Sequence, residues 1–231
     1  MRKPVLVFDF DNTLTSGDVL DMLVEKFSPN EDWKVWEREW AEGRLEARDC
    51  LRLQVENLRV SRERLFGYLL AIRIDPAFAR ILAWARARQV EVIIVSDSFL
   101  PLILHILSNN AISGVPVFAN GLEFSGDRLH PVFPFYDPAY PRSANAKANH
   151  LASYRDHTII YTGDGRSDLD AALVSDILFA KDSLAADLAA RSVPFHPFVT
   201  LEPALAFLES LGETPNTGER RCLWSGRGER I

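Results

Sequence analysis

Four short, largely apolar runs punctuate the chain, and each is closed by polar residues. Val5–Phe8 stops at Asp9, Val90–Val95 at Ser96, Thr158–Thr162 at Gly163 and Asp164, and Ile177–Ala180 just before Lys181 and Asp182. Runs of this length and composition read as strands buried on both faces of a parallel sheet. Between them the apolar period changes to that of a helix. Asp75 and Pro76 fit an N-cap followed by proline at the first helical position, and Phe78, Ile81, Leu82 and Ala85 recur behind them. Leu100–Leu107 and Leu169–Val174 behave likewise. Strands alternating with helices predict an α/β fold, a doubly wound, Rossmann-like parallel sheet.

From Thr15 to Asp75 no strand pattern occurs. Apolar residues fall at helical spacing in Leu20, Leu23, Val24 and Phe27, in Leu51, Val55 and Leu58, and in Leu65, Leu69 and Ile72. About four helices are therefore inserted after the first strand, where a doubly wound sheet opens its ligand crevice, so they are expected to form a lid. The predicted organisation is a catalytic core of residues 1–15 and 76–211, a helical cap of residues 16–75 and a mobile tail of residues 212–231, whose Gly, Arg and Glu show no period. Asn120–Leu129 reads as a β-hairpin turning at Ser125-Gly126-Asp127.

At 231 residues and 47% hydrophobic content the chain can fill a large interior, which excludes a disordered or fibrous protein. The balance of 26 basic to 32 acidic residues argues against a nucleic-acid partner. No apolar stretch approaches a membrane span, and the apolar run after Met1 is too short for a secretion signal. Only Cys50 and Cys222 are present, so no disulfide framework is expected and a cytoplasmic location fits. His105, His130, His150, His157 and His196 lack the spacing of a zinc site.

Chemistry gathers at the strand ends. Asp9 and Asp11 leave the first strand two residues apart, in DFDNT. An ionised aspartate can attack an electrophile, while a general acid must keep its proton about three units above its ordinary pKa, costing roughly 4 kcal/mol. Ser96-Asp97-Ser98 follows the second strand, Lys147 opens the helix before the third, and Gly163-Asp164-Gly165-Arg166-Ser167-Asp168 leaves the third through two glycines. Singly, each cluster can be a cap, a turn or solvated surface. Together they place carboxylates, a hydroxyl and an ammonium along one sheet edge. Asp9, Asp164 and Asp168 offer the hard oxygen donors that suit Mg²⁺, to which the Asp11 carbonyl can add one. A phosphate dianion facing these acids needs that cation on one side and Lys147 on the other.

The set DFDNT, VSDS, Lys147 and GDGRSD, in this order, resembles the four motifs of the haloacid dehalogenase-like phosphatases, and the helical insertion resembles their type 1 cap. The resemblance runs from Val5 to about Leu211. It is nearest to the phosphoserine-phosphatase-like branch, and within it to the methionine-salvage phosphatases acting on 2-hydroxy-3-keto-5-methylthiopentenyl-1-phosphate, through TSGDVLDMLVEKFSPNEDW, VSDILFAKDSLA and the HPF at His196. It implies Asp9 as a nucleophile that forms an aspartyl-phosphate and Asp11 as acid and then base. Ser96 and Lys147 would hold phosphoryl oxygens, with Thr13, Asp97 and Asp18 as further phosphate or substrate contacts. Asp9, Asp11 and Asp164 would hold Mg²⁺, and Asp168 would bind it or orient Asp164 or a metal-bound water. Two departures concern substrate. Ser96-Asp97-Ser98 stands where many relatives have S-G-G, resembling phosphatases of phosphocholine, phosphoethanolamine and pyridoxal phosphate, and the cysteines that often precede the motif lysine are absent.

In the cap, Trp33, Trp36 and Trp40 share a helix face and either pack the cap or wall the substrate. Asp18 either caps a helix or meets a substrate hydroxyl or amine, and Arg166 touches substrate or pairs with nearby acids. The expected function is a Mg²⁺-dependent phosphomonoesterase acting on a small-molecule phosphomonoester, as monomer or homodimer. The alternatives are a phosphatase of phosphoserine, phosphocholine, phosphoethanolamine or pyridoxal phosphate, a phosphotransferase using the same intermediate, and a catalytically lapsed phosphate-binding or scaffolding protein.

Overall fold

Residues 2–212 are described by the computed structural model. The expected tail falls outside them, apart from Gly212 at the end of the last helix. Seven strands, β1 (Pro4–Phe8), β2 (Glu91–Phe99), β3 (Val117–Ser125), β4 (Arg128–Val132), β5 (Thr158–Gly163), β6 (Ile177–Ala180) and β7 (His196–Pro197), form one sheet in the order β4-β3-β2-β1-β5-β6-β7. All neighbours run parallel except β3 and β4, an antiparallel hairpin at one edge. The hairpin is the one read at Asn120–Leu129, but its first strand begins earlier and pairs with β2 from Val117.

Alternation along β1 explains its unbroken apolar run. Leu6 and Phe8 face one buried layer with α5 (Pro76–Ala87), α6 (Leu100–Asn109) and α10 (Glu202–Gly212), while Val5 and Val7 face a second with α8 (Leu169–Leu173) and α9 (Asp182–Ala190). Both faces are thus covered, at roughly 1.5–3 kcal/mol for each large side chain taken from water. Asp75 caps α5 as its position implied, accepting from the Ala77 N–H at 2.8 Å, and its other oxygen accepts from the Leu201 N–H at 2.9 Å.

Register places the chemistry. Phe8 lies opposite Ile94 on β2 and Thr162 on β5, so Asp9, Ser96 and Asp164 emerge side by side at the carboxyl edge. Strand β2 does not stop at Ser96 but continues to Phe99, with a shift in its pairing to β3 between Val95 and Phe99.

The segment after β1 holds four helices, α1 (Val19–Phe27), α2 (Asp32–Ala41), α3 (Ala47–Asn57) and α4 (Arg62–Leu69). It leaves and returns side by side, through a bridge between Thr15 and Ile74 and an Asp75 N–H bond to the Leu14 carbonyl at 2.8 Å. Its far side rests on the sheet domain's loops: the Ala47 N–H donates to the Pro141 carbonyl at 2.9 Å, and the Arg48 guanidinium lies 4.1 Å from the centre of the Tyr136 ring. Held at both ends, the helices cover the carboxyl edge. No described helix is long and apolar enough to cross a membrane.

Candidate active site

A cavity of about 580 Å³ lies between this edge and the helices. Asp9 enters it directly from β1, 4% exposed, its backbone N–H still bonded to the Thr162 carbonyl at 2.9 Å. The chain then turns sharply. Asn12 adopts φ +51°, and its side-chain amide donates to Asp164 Oδ2 and to Asp182 Oδ2, both at 2.8 Å. This crosslink ties the first motif to the fourth. Asp11 points into the cavity and accepts from the Val19 N–H at 3.0 Å.

Lys147 is not the solvated surface residue that its helix-start position permits. It is 2% exposed, with Nζ 2.6 Å from Asp9 Oδ1 and 2.7 Å from Asp168 Oδ1. A web behind it fixes the loop. Asn145, fully buried, donates to the Ser96 carbonyl at 2.6 Å and the Phe118 carbonyl at 2.8 Å, and Ala146 is held at φ +44° immediately before the lysine. That left-handed backbone costs about 1–3 kcal/mol for a residue with a Cβ, so surrounding contacts must enforce it.

Asp168 is sealed beneath the site with no exposure. Oδ1 accepts from Lys147 and, at 2.6 Å, from the Tyr161 hydroxyl, while Oδ2 accepts from the N–H groups of Asp164 at 3.1 Å and Gly165 at 2.9 Å. Asp9, Asp164 and Asp168 nevertheless each bring a carboxylate oxygen within 4.8 Å of the others, a set able to hold a metal ion. The donors are all oxygens, as a hard cation requires. Asp9 and Asp164 open on the cavity, and the Asp11 carbonyl accepts no hydrogen bond from any described residue. Asp168, occupied by four donors and outside the lining, stands behind the other two.

Of the expected phosphate or substrate contacts, Ser96, Asp97, Lys147 and Asp18 line the cavity. Thr13 does not; its hydroxyl donates to Asp164 Oδ1 at 3.0 Å. The Asp97 carboxylate is turned onto the Ser143 hydroxyl at 2.6 Å and the Ala144 N–H at 2.8 Å, so it organises the loop before Lys147. A carboxylate would in any case repel a phosphate. Ser96 Oγ accepts from the Ser98 N–H at 3.0 Å, leaving its proton available. Asp18 caps α1, accepting from the Asp21 N–H at 3.0 Å, and it also lines the cavity. Arg166 reaches the lid, donating to the Ala41 carbonyl at 2.8 Å. The tryptophan face divides: Trp40 lines the cavity and Trp33 packs against the core, and α2 buries no residue fully.

Charges are crowded here. Burial of Asp9 and the charge of Asp168 act to raise its carboxyl, and Lys147 acts against them. Burial alone would lower Lys147, but the carboxylates of Asp168 and Asp9 outweigh it and hold the ammonium above its ordinary value. Burial, followed by the charge of Asp18, pushes Asp11 up to about 8. Asp18 is pushed to about 7 by burial and Asp21, and Asp21 to about 7 by burial, Glu37 and Asp11.

Several participants escaped the sequence reading. Asn12, Asn145 and Tyr161 carry the second layer of contacts, and Tyr161 was detectable as the one phenol inside an apolar strand. Asp21, Glu37 and Gln54 add polar groups to the cap wall. Gln54 was visible as a polar interruption of the Leu51–Val55–Leu58 stripe.

Comparison with known proteins agrees with this geometry. The profile of the haloacid dehalogenase-like hydrolases matches residues 6–173. The 2-hydroxy-3-keto-5-methylthiopentenyl-1-phosphate phosphatase of Brevibacillus brevis is 25% identical, covering 91% of this chain and 97% of its own. The polyol phosphate phosphatase PYP1 of Saccharomyces cerevisiae is 27% identical, covering 91% and 95%. Among solved structures, a phospho-aspartyl intermediate analogue of phosphoserine phosphatase superposes with a TM-score of 0.70 at 19% identity, over 90% of this chain and 99% of that one, which shows a shared fold. The chain belongs to the haloacid dehalogenase-like hydrolase family, as an enzyme of its phosphatase branch.

Proposed function

We propose that the protein hydrolyses a small phosphomonoester through a covalent phosphoryl group on Asp9. The observation that carries this reading is the buried contact of 2.6 Å between Lys147 Nζ and Asp9 Oδ1 at the floor of a cavity that Asp11 also enters. An ammonium there opposes the burial and the Asp168 charge that raise the Asp9 carboxyl, and it offsets charge that grows on phosphoryl oxygens during transfer.

A carboxylate oxygen of Asp9 attacks phosphorus, and the bond from phosphorus to the leaving oxygen breaks. Asp11, protonated at neutral pH because its carboxyl titrates near 8, gives that proton to the departing alkoxide. Its carboxylate then takes a proton from water as the water oxygen attacks the Asp9 phosphoryl group, releasing phosphate and restoring both aspartates. Ser96, with its hydroxyl proton free, and Lys147 hold phosphoryl oxygens. Asp168 acts at one remove, positioning Lys147 and the loop that carries Asp164. The donors fit Mg²⁺, which Asp9, Asp164 and the Asp11 carbonyl would hold, and which supplies positive charge to balance the substrate phosphate against these acids.

For substrate, the reading takes the small-metabolite class, with the methionine-salvage enol-phosphate as the first compound to examine. Its support is the near full-length similarity to enzymes bearing that name, alongside the polyol phosphate phosphatase. The test is turnover of p-nitrophenyl phosphate with Mg²⁺, followed by a panel of phosphorylated metabolites. Wild type should turn over the reporter and Asp9→Asn should not. Absence of turnover in both would return the protein to the phosphate-binding or scaffolding class.

A further inference from the structure

Beyond the reacting carboxylates, the cavity has a second wall with its own chemistry. Asp21 comes to it from α1, Glu37 from α2 and Gln54 from α3, so three helices converge on one volume. Gln54 is 4% exposed, yet its side-chain amide makes no hydrogen bond to any described residue. Its amide atoms are not among the sealed, unpartnered polar atoms of the described interior; they open on the cavity and are positioned for something that enters it. Neither Asp21 nor Glu37 has an ion-pair partner among the described residues. Of the two basic side chains in the lining, Lys147 is neutralised by Asp9 and Asp168, while Arg166 is anchored to the Ala41 carbonyl and pairs with no carboxylate among the described residues.

We infer that this wall reads the leaving group, and that it selects a leaving alcohol carrying hydrogen-bond donors, hydroxyl or ammonium, and no carboxylate. The side-chain oxygens of Asp21 and Glu37, whose carboxyls burial holds above their ordinary values, accept such donors, most strongly when ionised, and the Gln54 amide can accept one and donate to an oxygen. A carboxylate on the leaving group would meet two acids against one guanidinium, Arg166, which is already tied to the Ala41 carbonyl, so exclusion is built in as well as attraction. Leu20, Leu51 and Trp40 complete the wall with apolar surface for the carbon skeleton.

The inference rests on the phosphatase reading, and the experiment separates the two. Wild-type protein is assayed on sn-glycerol 3-phosphate, phosphoethanolamine, 3-phosphoglycerate and propyl phosphate, with p-nitrophenyl phosphate as reference. At least one of the first two should exceed both of the last two by tenfold or more in kcat/KM, and which one leads tells hydroxyl from ammonium. In Gln54→Leu the ratio of kcat/KM on the leading substrate to that on p-nitrophenyl phosphate should fall at least fivefold, mainly through KM. In Glu37→Lys the discrimination against 3-phosphoglycerate should shrink by a similar factor. Equal use of 3-phosphoglycerate, or ratios unmoved in both variants, overturns the inference. The dissociation constants of the same four compounds on Asp9→Asn, measured by calorimetry, should follow the same order. That binding series decides the matter even where wild type proves unable to turn over p-nitrophenyl phosphate, an outcome that refutes the phosphatase reading alone.

Discussion

Gly163 ends β5 with its Cα packed against the carboxylate of Asp168, and replacing it with alanine tests how much of the site hangs on that acid. A Cβ at this position would lie 2.7 Å from Asp168 Cγ and Oδ2 and 3.0 Å from Tyr161 Cε1. To restore ordinary contact the carboxylate must retreat by about 0.7 Å, and it has nowhere to go, being wholly buried and bonded to four donors. The bonds from Lys147, Tyr161, Asp164 and Gly165, now 2.6–3.1 Å, would stretch toward the limit of useful hydrogen bonding. Overpacking costs about 1–3 kcal/mol and weakened charged hydrogen bonds add to it, so Gly163→Ala should lose roughly 2–4 kcal/mol. At this chain length that lowers Tm by about 5–15 °C. Because Lys147 shifts with Asp168, turnover of p-nitrophenyl phosphate should fall by about 10²-fold. Gly165→Ala is the control. Its Cβ would meet nothing nearer than 3.8 Å, and its backbone is extended at φ −106°, so Tm should stay within about 2 °C of wild type. Scanning fluorimetry and a chromogenic assay read both. A Gly163→Ala protein with wild-type Tm and activity would refute the idea that Asp168 is rigidly seated.

Other consequences are measurable with the same protein. Asp11 titrates near 8, so the step that expels the leaving group should slow as pH rises through that value. In single-turnover experiments Asp11→Asn should cut release of an alkyl leaving group by about 10²–10⁴-fold and release of p-nitrophenolate far less; equal losses would remove the acid role. The Asp21 carboxyl is raised to about 7 from an ordinary value near ~3.9, so its contribution to stability is full below about pH 4 and is lost as pH rises through 7. Tm should therefore decline between pH 5 and 7.5, and Asp21→Asn should flatten that decline; an unchanged slope contradicts the assignment. Burial pushes the Cys50 thiol up to about 12. With Cys222 replaced by serine, iodoacetamide at pH 8 should label the native protein much more slowly than the unfolded one, and comparable rates would count against this placement.

How far the sequence carries depends on range. Strands β1, β5 and β6 were legible because burial on both faces leaves uninterrupted apolar runs, and the four inserted helices because their period is local. Strand β7 was not: two residues, His196 and Pro197, contain no pattern, and they pair with β6 because Phe198 and the helix behind them pack into the core. Nor was the start of β3, where Pro116 interrupts the apolar residues. At the site, Asp9, Asp11, Lys147 and Asp164 were marked by position at strand ends and helix starts, and the register brings three such ends together. What spacing could not show was direction. Thr13 and Asp97 sit among the motif residues but turn onto Asp164 and the loop at Ser143, and which way a side chain turns is set by partners more than 40 residues away. The cap wall is more distant still from local pattern, because Asp21, Glu37 and Gln54 meet only once three helices have packed.

The central claim is a bond between phosphorus and the side chain of residue 9. Wild-type protein mixed with excess phosphomonoester and Mg²⁺, quenched in acid within milliseconds and digested for mass spectrometry, should yield the peptide containing Asp9 heavier by one phosphoryl group. The modification should decay on chasing without substrate and be missing from Asp9→Asn. Steady turnover with no modified peptide at any quench time, or with phosphorus on another residue, would contradict the account.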